Sequence, residues 1–266
     1  MSESDDETLR EGTESHYRDA AYYDQAYRRR REDRAWYVAL AREHLAPGDA
    51  ILELGVGTGR VALGLADAGF EVVGVDAMAS MLARAAARRD KAPRRIRERL
   101  SLVEGDLRSV RLGRRFPLVL APFNVFMHLY SREDADAALA TVAAHLAPGG
   151  RFAFDVLLPD PVSLGRDPDK VYSLGIVRRN GVRYRYRERF RWDPATQIQH
   201  VDLAFIGADD PAQFEIQSLT HRHYFPQELR LLLDTRGFTV DRHEGDWEGE
   251  ALARFHESQV LVTRRR

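Results

Sequence analysis

The chain has 266 residues, 44% of them hydrophobic, and a formal charge of −1 from 40 basic and 41 acidic side chains. That length allows one large or two small domains, and a charge so close to zero provides no overall field steering the chain to nucleic acid or a membrane. There is no cysteine, no run of eighteen apolar residues and no secretory signal, so disulfides, thiolate metal sites and a membrane partner are excluded and a cytoplasmic protein is expected.

Residues 1–15 carry six acids against one arginine, the composition of a disordered acidic tail. Over 16–47 the character changes. Tyr17, Tyr22, Tyr23, Tyr27, Trp36 and Tyr37 are interleaved with Arg28 to Arg31 and Arg34, and the i, i+4 spacing of Tyr23 and Tyr27 predicts short helices. From 48 to 160, apolar strands near 50–54, 71–75, 100–103, 117–121 and 151–156 alternate with helices near 59–68, 78–90 and 132–146. Such alternation predicts a parallel sheet with helices on both faces.

Residues 161–225 break the pattern. The stretches 176–192, 197–206 and 213–224 alternate with period two, the signature of an antiparallel β insert after the fifth strand. Pro226 and Gly237 then bracket a helix. Phe238-Thr239-Val240-Asp241 and Glu257 to Thr263 supply the closing strands of 226–266.

The most informative segment is Ile51-Leu52-Glu53-Leu54-Gly55-Val56-Gly57-Thr58-Gly59-Arg60. An apolar strand enters three glycines and then a helix, and the next strand ends in Asp76. Glycines let the backbone turn tightly and approach a ligand closely, and the helix start offers free N–H groups. A dinucleotide fingerprint would place its third glycine at position 60, where this chain has arginine.

The spacing G-x-G-x-G, with Glu53 before it, resembles motif I of the class I S-adenosylmethionine-dependent methyltransferases. The resemblance continues through Asp76-Ala77-Met78-Ala79-Ser80-Met81-Leu82, Glu104-Gly105-Asp106-Leu107 and Leu146-Ala147-Pro148-Gly149-Gly150, covering 50–156. Met78 stands where the family usually has serine. The resemblance implies a Rossmann-like α/β fold, a seven-stranded mostly parallel sheet with the antiparallel insert as a substrate cover over 161–225. It also implies a tyrosine-bearing helical lid over 16–47, and S-adenosyl-L-methionine as cofactor.

Under that resemblance the cofactor residues are Glu53, Gly55, Gly57, Gly59, Asp76, Ala77, Met78, Asp106, Leu107, Phe123 and Asn124. Asp76 can accept from both ribose hydroxyls, although Asp is also a common helix N-cap. Asp106 would accept from the adenine amine, or it belongs to an ordinary Gly-Asp turn. Glu53 would face the methionine ammonium or hold the glycine loop from below. The segment Pro122 to Tyr130 follows the fourth strand, at the edge where parallel sheets bind ligands. It places Phe123 and Asn124 by the methionine moiety and His128 by the methyl acceptor.

His128 and Tyr23 are the candidate catalytic side chains. Methyl transfer demands alignment more than acid–base power, so a base such as His128 matters only for an acceptor that arrives protonated. A structural histidine is the competing reading. Tyr22, Tyr27, His128, Arg187, His221 and His223 are candidate substrate contacts. His221 and His223 share a strand face, but no third ligand accompanies them, and no metal site is expected.

Arg183, Arg185, Arg187, Arg189 and Arg191 alternate with Tyr184, Tyr186, Glu188, Phe190 and Trp192. That stripe admits three readings: a solvated sheet face, a pocket for an anionic substrate, or an RNA surface. The expected function is methyl transfer to nitrogen or oxygen of a small molecule, with a homodimer left open. The rivals are an RNA or protein methyltransferase using the stripe, an NAD-dependent oxidoreductase, and a non-catalytic cofactor-binding partner.

Overall fold

A computed structural model describes residues 3–266. Seven strands form the main sheet: β1 (Ala50–Leu54), β2 (Glu71–Asp76), β3 (Leu100–Glu104), β4 (Phe116–Ala121), β5 (Leu146–Leu157), β10 (Phe238–Glu244) and β11 (Ser258–Arg265), in the order β3-β2-β1-β4-β5-β11-β10. The five strands from β3 to β5 pair in parallel, and β11 runs antiparallel between β5 and β10.

Successive residues of the central strands enter opposite cores, which is why they read as continuous apolar runs. Ile51, Leu118 and Leu120 pack with Tyr37, Leu40 and Ala41 of α3 (Glu32–His44) and with Val61, Leu65 and Ala66 of α4 (Arg60–Asp67). Leu52, Val119 and Phe152 pack on the other side with Leu139 and Val142 of α7 (Arg132–His145) and Leu229 and Leu233 of α9 (Pro226–Thr235). On the α3 and α4 side lie also α5 (Ala79–Lys91) and α6 (Arg94–Arg97), which bring Leu82 and Ile96 to that core. The expected Rossmann-like sheet with helices on both faces is the architecture found.

The insert departs from the sequence expectation in one respect. After α8 (Pro161–Leu164) come four antiparallel strands, not three: β6 (Tyr172–Arg179), β7 (Val182–Asp193), β8 (Ile198–Gly207) and β9 (Phe214–Arg222), in sequential order. The stretch 176–192 is a hairpin whose turn is Asn180-Gly181, at φ 51° and 83°. Asn-Gly with both residues at positive φ matches the right-handed twist of paired strands. The alternation on both sides hides the turn.

The tail expectation is a second correction. Residues 3–17 form a helix, α1 (Glu3–Tyr17), followed by α2 (Ala20–Tyr27). With few apolar side chains of its own, α1 is held by tertiary contacts along β9. Leu9 is buried, Ser15 Oγ accepts from Ser218 N–H at 3.2 Å, and a Cβ at Gly12 would fall 1.8 Å from Thr220 Oγ1. Residues 1 and 2 lie outside the described residues. Across the inner face of the insert, Tyr22 of α2 packs edge-on against Phe205 at 5.6 Å. Among the described residues no helix is long and apolar enough to cross a membrane.

Candidate active site

At the carboxyl end of β1 the chain turns sharply into α4 through Gly55, Gly57 and Gly59, at φ 72°, 54° and 76°. A Cβ at Gly55 would lie 2.4 Å from Val125 Cγ2, so the loop after β4 can approach only a glycine there. A Cβ at Gly57 would meet no protein atom and would occupy the cavity that this residue borders. Asp76, ending β2, clamps the loop: its Oδ2 accepts from Gly57 N–H at 2.7 Å and its Oδ1 from Met78 N–H at 2.9 Å. Each oxygen keeps lone-pair capacity for a ligand hydroxyl. Burial raises the Asp76 pKa against those backbone donors.

Glu53 sits beneath, 2% exposed, and its Oε2 has no hydrogen-bond partner. Burial above all, opposed by Arg60 and helped by Asp76 and Asp33, lifts its carboxyl to about 8. A buried acceptor without a donor is destabilising; a ligand cation in the cavity would supply one.

The loop after β4 carries backbone strain. Phe123 and Asn124 both stand at φ 64°, a left-handed conformation disfavoured for side chains with a Cβ. Asp155 of β5, fully buried, holds them there: Oδ1 accepts from Phe123 N–H at 2.7 Å and Oδ2 from Asn124 N–H at 3.2 Å. Tyr37 O–H of α3 donates to the same carboxylate at 2.6 Å. Burial pushes Asp155 up to about 6 in spite of these donors. The result is a Phe123 ring presented to the cavity, with the guanidinium groups of Arg30 and Arg60 each 4.9 Å from its centroid. A short 3-10 helix, Val125–His128, follows.

One cavity of about 730 Å³ joins the glycine loop to the far wall, where α1 contributes Leu9, Thr13 and Tyr17. There His128 uses both ring nitrogens, with Nε2 2.7 Å from Tyr17 Oη and Nδ1 3.3 Å from Tyr130 Oη. Tyr130 O–H donates to the Thr220 carbonyl at 3.0 Å, so its oxygen accepts from His128 Nδ1–H. Nε2 is then the acceptor for Tyr17 O–H. Burial draws His128 down to about 4, aided by nearby His16, which leaves it neutral at pH 7. His221 packs its ring 5.1 Å from that of His128.

A family model described as a methyltransferase domain matches residues 51–150. The cypemycin N-terminal methyltransferase of Streptomyces sp. is 30% identical over 231 residues, spanning 82% of this chain and 84% of that protein. The chain is a class I S-adenosylmethionine-dependent methyltransferase. A more local match is the dTDP-3-amino-3,6-dideoxy-alpha-D-glucopyranose N,N-dimethyltransferase of Streptomyces fradiae, 37% identical over 113 residues; it spans 42% of the methyltransferase and only 41% of that relative. The solved CcbJ methyltransferase from Streptomyces caelestis superposes with a TM-score of 0.75 at 25% identity, covering 88% of this chain and 89% of that one.

S-adenosylmethionine is the cofactor of this methyltransferase, and the donor end of the cavity suits it: an unpartnered buried carboxyl for the ammonium and a clamped aspartate for the ribose. Of the residues singled out in the sequence, Tyr23, Glu53, Gly55, Gly57, Asp76, Ala77, Met78, Asp106, Leu107, Phe123 and His128 line the cavity. Gly59 serves as the left-handed N-cap of α4. Asp106 is held by Arg108, which bonds both its oxygens and bridges to Asp134.

Other expected contacts fall elsewhere. Asn124 belongs to the strained loop, outside the cavity lining. Tyr22 lies against the insert sheet, and Tyr27 stacks edge-on to Phe123 at 4.9 Å, outside the main cavity. His221 stands behind His128, and His223, past the end of β9, is buried against Trp192 and Gln199. Arg187 needs the plainest correction. It is exposed and pairs across the sheet with Ser173 and Ala204, on the face opposite Tyr186 and Phe205; Arg189 and Arg191 on that face pair with Asp202. Alternation identifies two faces but not which one meets the core.

Sequence reasoning missed Tyr17, Tyr130, Asp155 and Arg60. Asp155 had a readable signal, a lone acid inside the apolar run Phe152 to Leu157. Arg60, where a dinucleotide site would need glycine, is locked by Asp33 through bonds of 2.7 and 2.5 Å. Among the described residues, Asp246, Glu250 and His256 stand at metal-ligand spacing, but His256 Nδ1 accepts from Ala253 N–H, so its Nε2 retains the proton.

Proposed function

We propose that this methyltransferase acts on a small molecule, methylating an amine nitrogen first and a hydroxyl oxygen as the next acceptor class. The carrying observation is the shared cavity, with Asp76 and the glycine loop at one end and Tyr17 and His128 at the other. The names of the two relatives, an N,N-dimethyltransferase and an N-terminal methyltransferase, favour nitrogen.

S-adenosylmethionine supplies a methyl group already activated by a sulfonium. In this reading Asp76 holds the ribose, Glu53 the ammonium, and Leu107 with the Asp106 turn the adenine. Tyr23 and Phe123 form the aromatic wall beside the methionine end, and α1 with α2 acts as the lid that excludes water. Tyr17 is the group closest in kind to the acceptor's needs: its phenol oxygen can accept an amine N–H and aim the nitrogen lone pair. His128 fixes that phenol from behind as a positioning residue, because its low pKa makes it a poor store for a proton. Burial in the cavity disfavours an ammonium, so the acceptor is taken as free amine.

The test is to supply S-adenosylmethionine with a panel of primary and secondary amines, alcohols and short RNAs, and to locate new methyl groups by mass spectrometry. N-methylated small molecules are expected. Methylation confined to RNA would overturn the reading, and methylation confined to hydroxyls would overturn the preference for nitrogen.

A further inference from the structure

A second cavity, of about 450 Å³, abuts the first, and Tyr23 and Arg60 border both. Six arginines line it: Arg28, Arg30, Arg31, Arg34, Arg60 and Arg88. Two carboxylates answer them. Asp33 is committed to Arg60 and Arg30, and Asp24 to Arg84 and Arg88. Arg28, Arg31 and Arg34 make no ion pair among the described residues and are exposed at the rim. The Arg88 pKa is drawn down by burial first and, against the pull of Asp24, by Arg84, Arg60 and Arg34.

The placement of these cations is unfavourable by itself. Arg28 to Arg31 precede the first residue of α3, Glu32, and Arg34 lies in its first turn, so they gather at the positive end of a 13-residue helix dipole. Arg31, at the N-cap, offers no side-chain acceptor to the helix. A surplus of about four positive charges around a concavity at a helix start is what a multiply charged anion would neutralise.

We propose that this second cavity is an anion subsite that holds a phosphate or diphosphate group of the methyl acceptor. The inference rests on the methyltransferase reading of the neighbouring cavity. Arg28, Arg31 and Arg34 hold the anion, and Arg30 and Arg60, stacked on Phe123, form the boundary with the donor cavity. An acceptor anchored there would reach the methyl group past Tyr23, so the subsite selects anionic acceptors and sets how far the nitrogen stands from its anchor.

Inorganic pyrophosphate is the probe. It is titrated calorimetrically into the full-length protein, free and saturated with S-adenosylhomocysteine, and into an Arg28→Gln/Arg31→Gln/Arg34→Gln variant whose S-adenosylhomocysteine affinity is measured in parallel. Pyrophosphate is expected to bind the saturated protein, to weaken with added salt, and to lose about tenfold or more in affinity in the variant. S-adenosylhomocysteine affinity should stay within about twofold. Pyrophosphate that binds only the free protein would mean that the arginines serve the cofactor's own carboxylate, and equal binding by the variant would place the anion elsewhere; either result overturns the subsite. Failure of S-adenosylhomocysteine to bind the unaltered protein would overturn the methyltransferase reading and the subsite with it.

Discussion

The two ends of the main cavity are built by different means. The donor end is made of consecutive chain: one glycine loop, one aspartate 19 residues on, and hydrogen bonds in which backbone N–H groups do the donating. The acceptor end is made of side chains far apart in sequence. Tyr17 meets His128 across 111 positions, and Tyr130 reaches Thr220 across 90. A site held by backbone tolerates change in the side chains around it, whereas a site held by side chains changes with each of them. The contrast fits an invariant cofactor at one end and a variable acceptor at the other.

That contrast can be broken experimentally. The largest effect is expected at Asp76→Ala, which removes the carboxylate that clamps Gly57 and Met78. The same carboxylate holds the ribose in the proposed reading, and losing two charge-assisted bonds to its hydroxyls, each worth about 1.5–3 kcal/mol, should cost about 100-fold or more in S-adenosylhomocysteine affinity by calorimetry. Tyr17→Phe belongs to the other end. It should lower kcat about tenfold with cofactor affinity intact, and a matching loss of cofactor binding would erase the distinction between the two ends.

A smaller effect lies in proton counting. Glu53, lifted to about 8 chiefly by burial, is protonated in the free protein at pH 7. An arriving ammonium favours its ionised form, so S-adenosylhomocysteine binding should release close to one proton. Calorimetry in buffers of different ionisation enthalpy measures that number, and Glu53→Gln should bring it near zero. Stability has its own pH signature at the acceptor end. Burial holds folded His128 at about 4, against an ordinary 6.5. The unfolded chain therefore binds that proton more tightly. Its contribution is whole above about pH 6.5 and declines by up to about 1.4 kcal/mol per unit as pH falls toward 4. Denaturant melts at pH 7, 6 and 5 would show that decline, and His128→Gln should reduce its slope by up to one proton's worth, with buried His16, His221 and His223 supplying the remainder.

The smallest effect is expected at Arg187→Ala. On the exposed face of the insert it should change kcat/KM by less than about twofold. A large loss there, or salt-sensitive RNA binding that the change abolishes, would return the arginine stripe to the site.

What the sequence disclosed follows the same division. Strand–loop–helix periodicity and glycine spacing are local, so the core sheet and the residues from Glu53 to Leu107 were legible. The helix α1 was not, because six acids and little apolar surface specify no helix until Thr13 meets Tyr130 and Gly12 meets Thr220. The His128 network was half legible: its histidine stood out, but its tyrosines come from α1 and from the turn before α7. Arg187 shows the limit of period two, which assigns faces without saying which is covered.

Fifteen residues at one end of the chain thus hold much of the acceptor wall. Leu9, Thr13 and Tyr17 reach the cavity, while the bonds that shape the glycine loop come from elsewhere: Val75 and Asp76 of β2, Asp24 of α2 and Arg88 of α5. Rewriting that short helix, or grafting another in its place, would retool the enzyme for a different acceptor and leave its engine untouched.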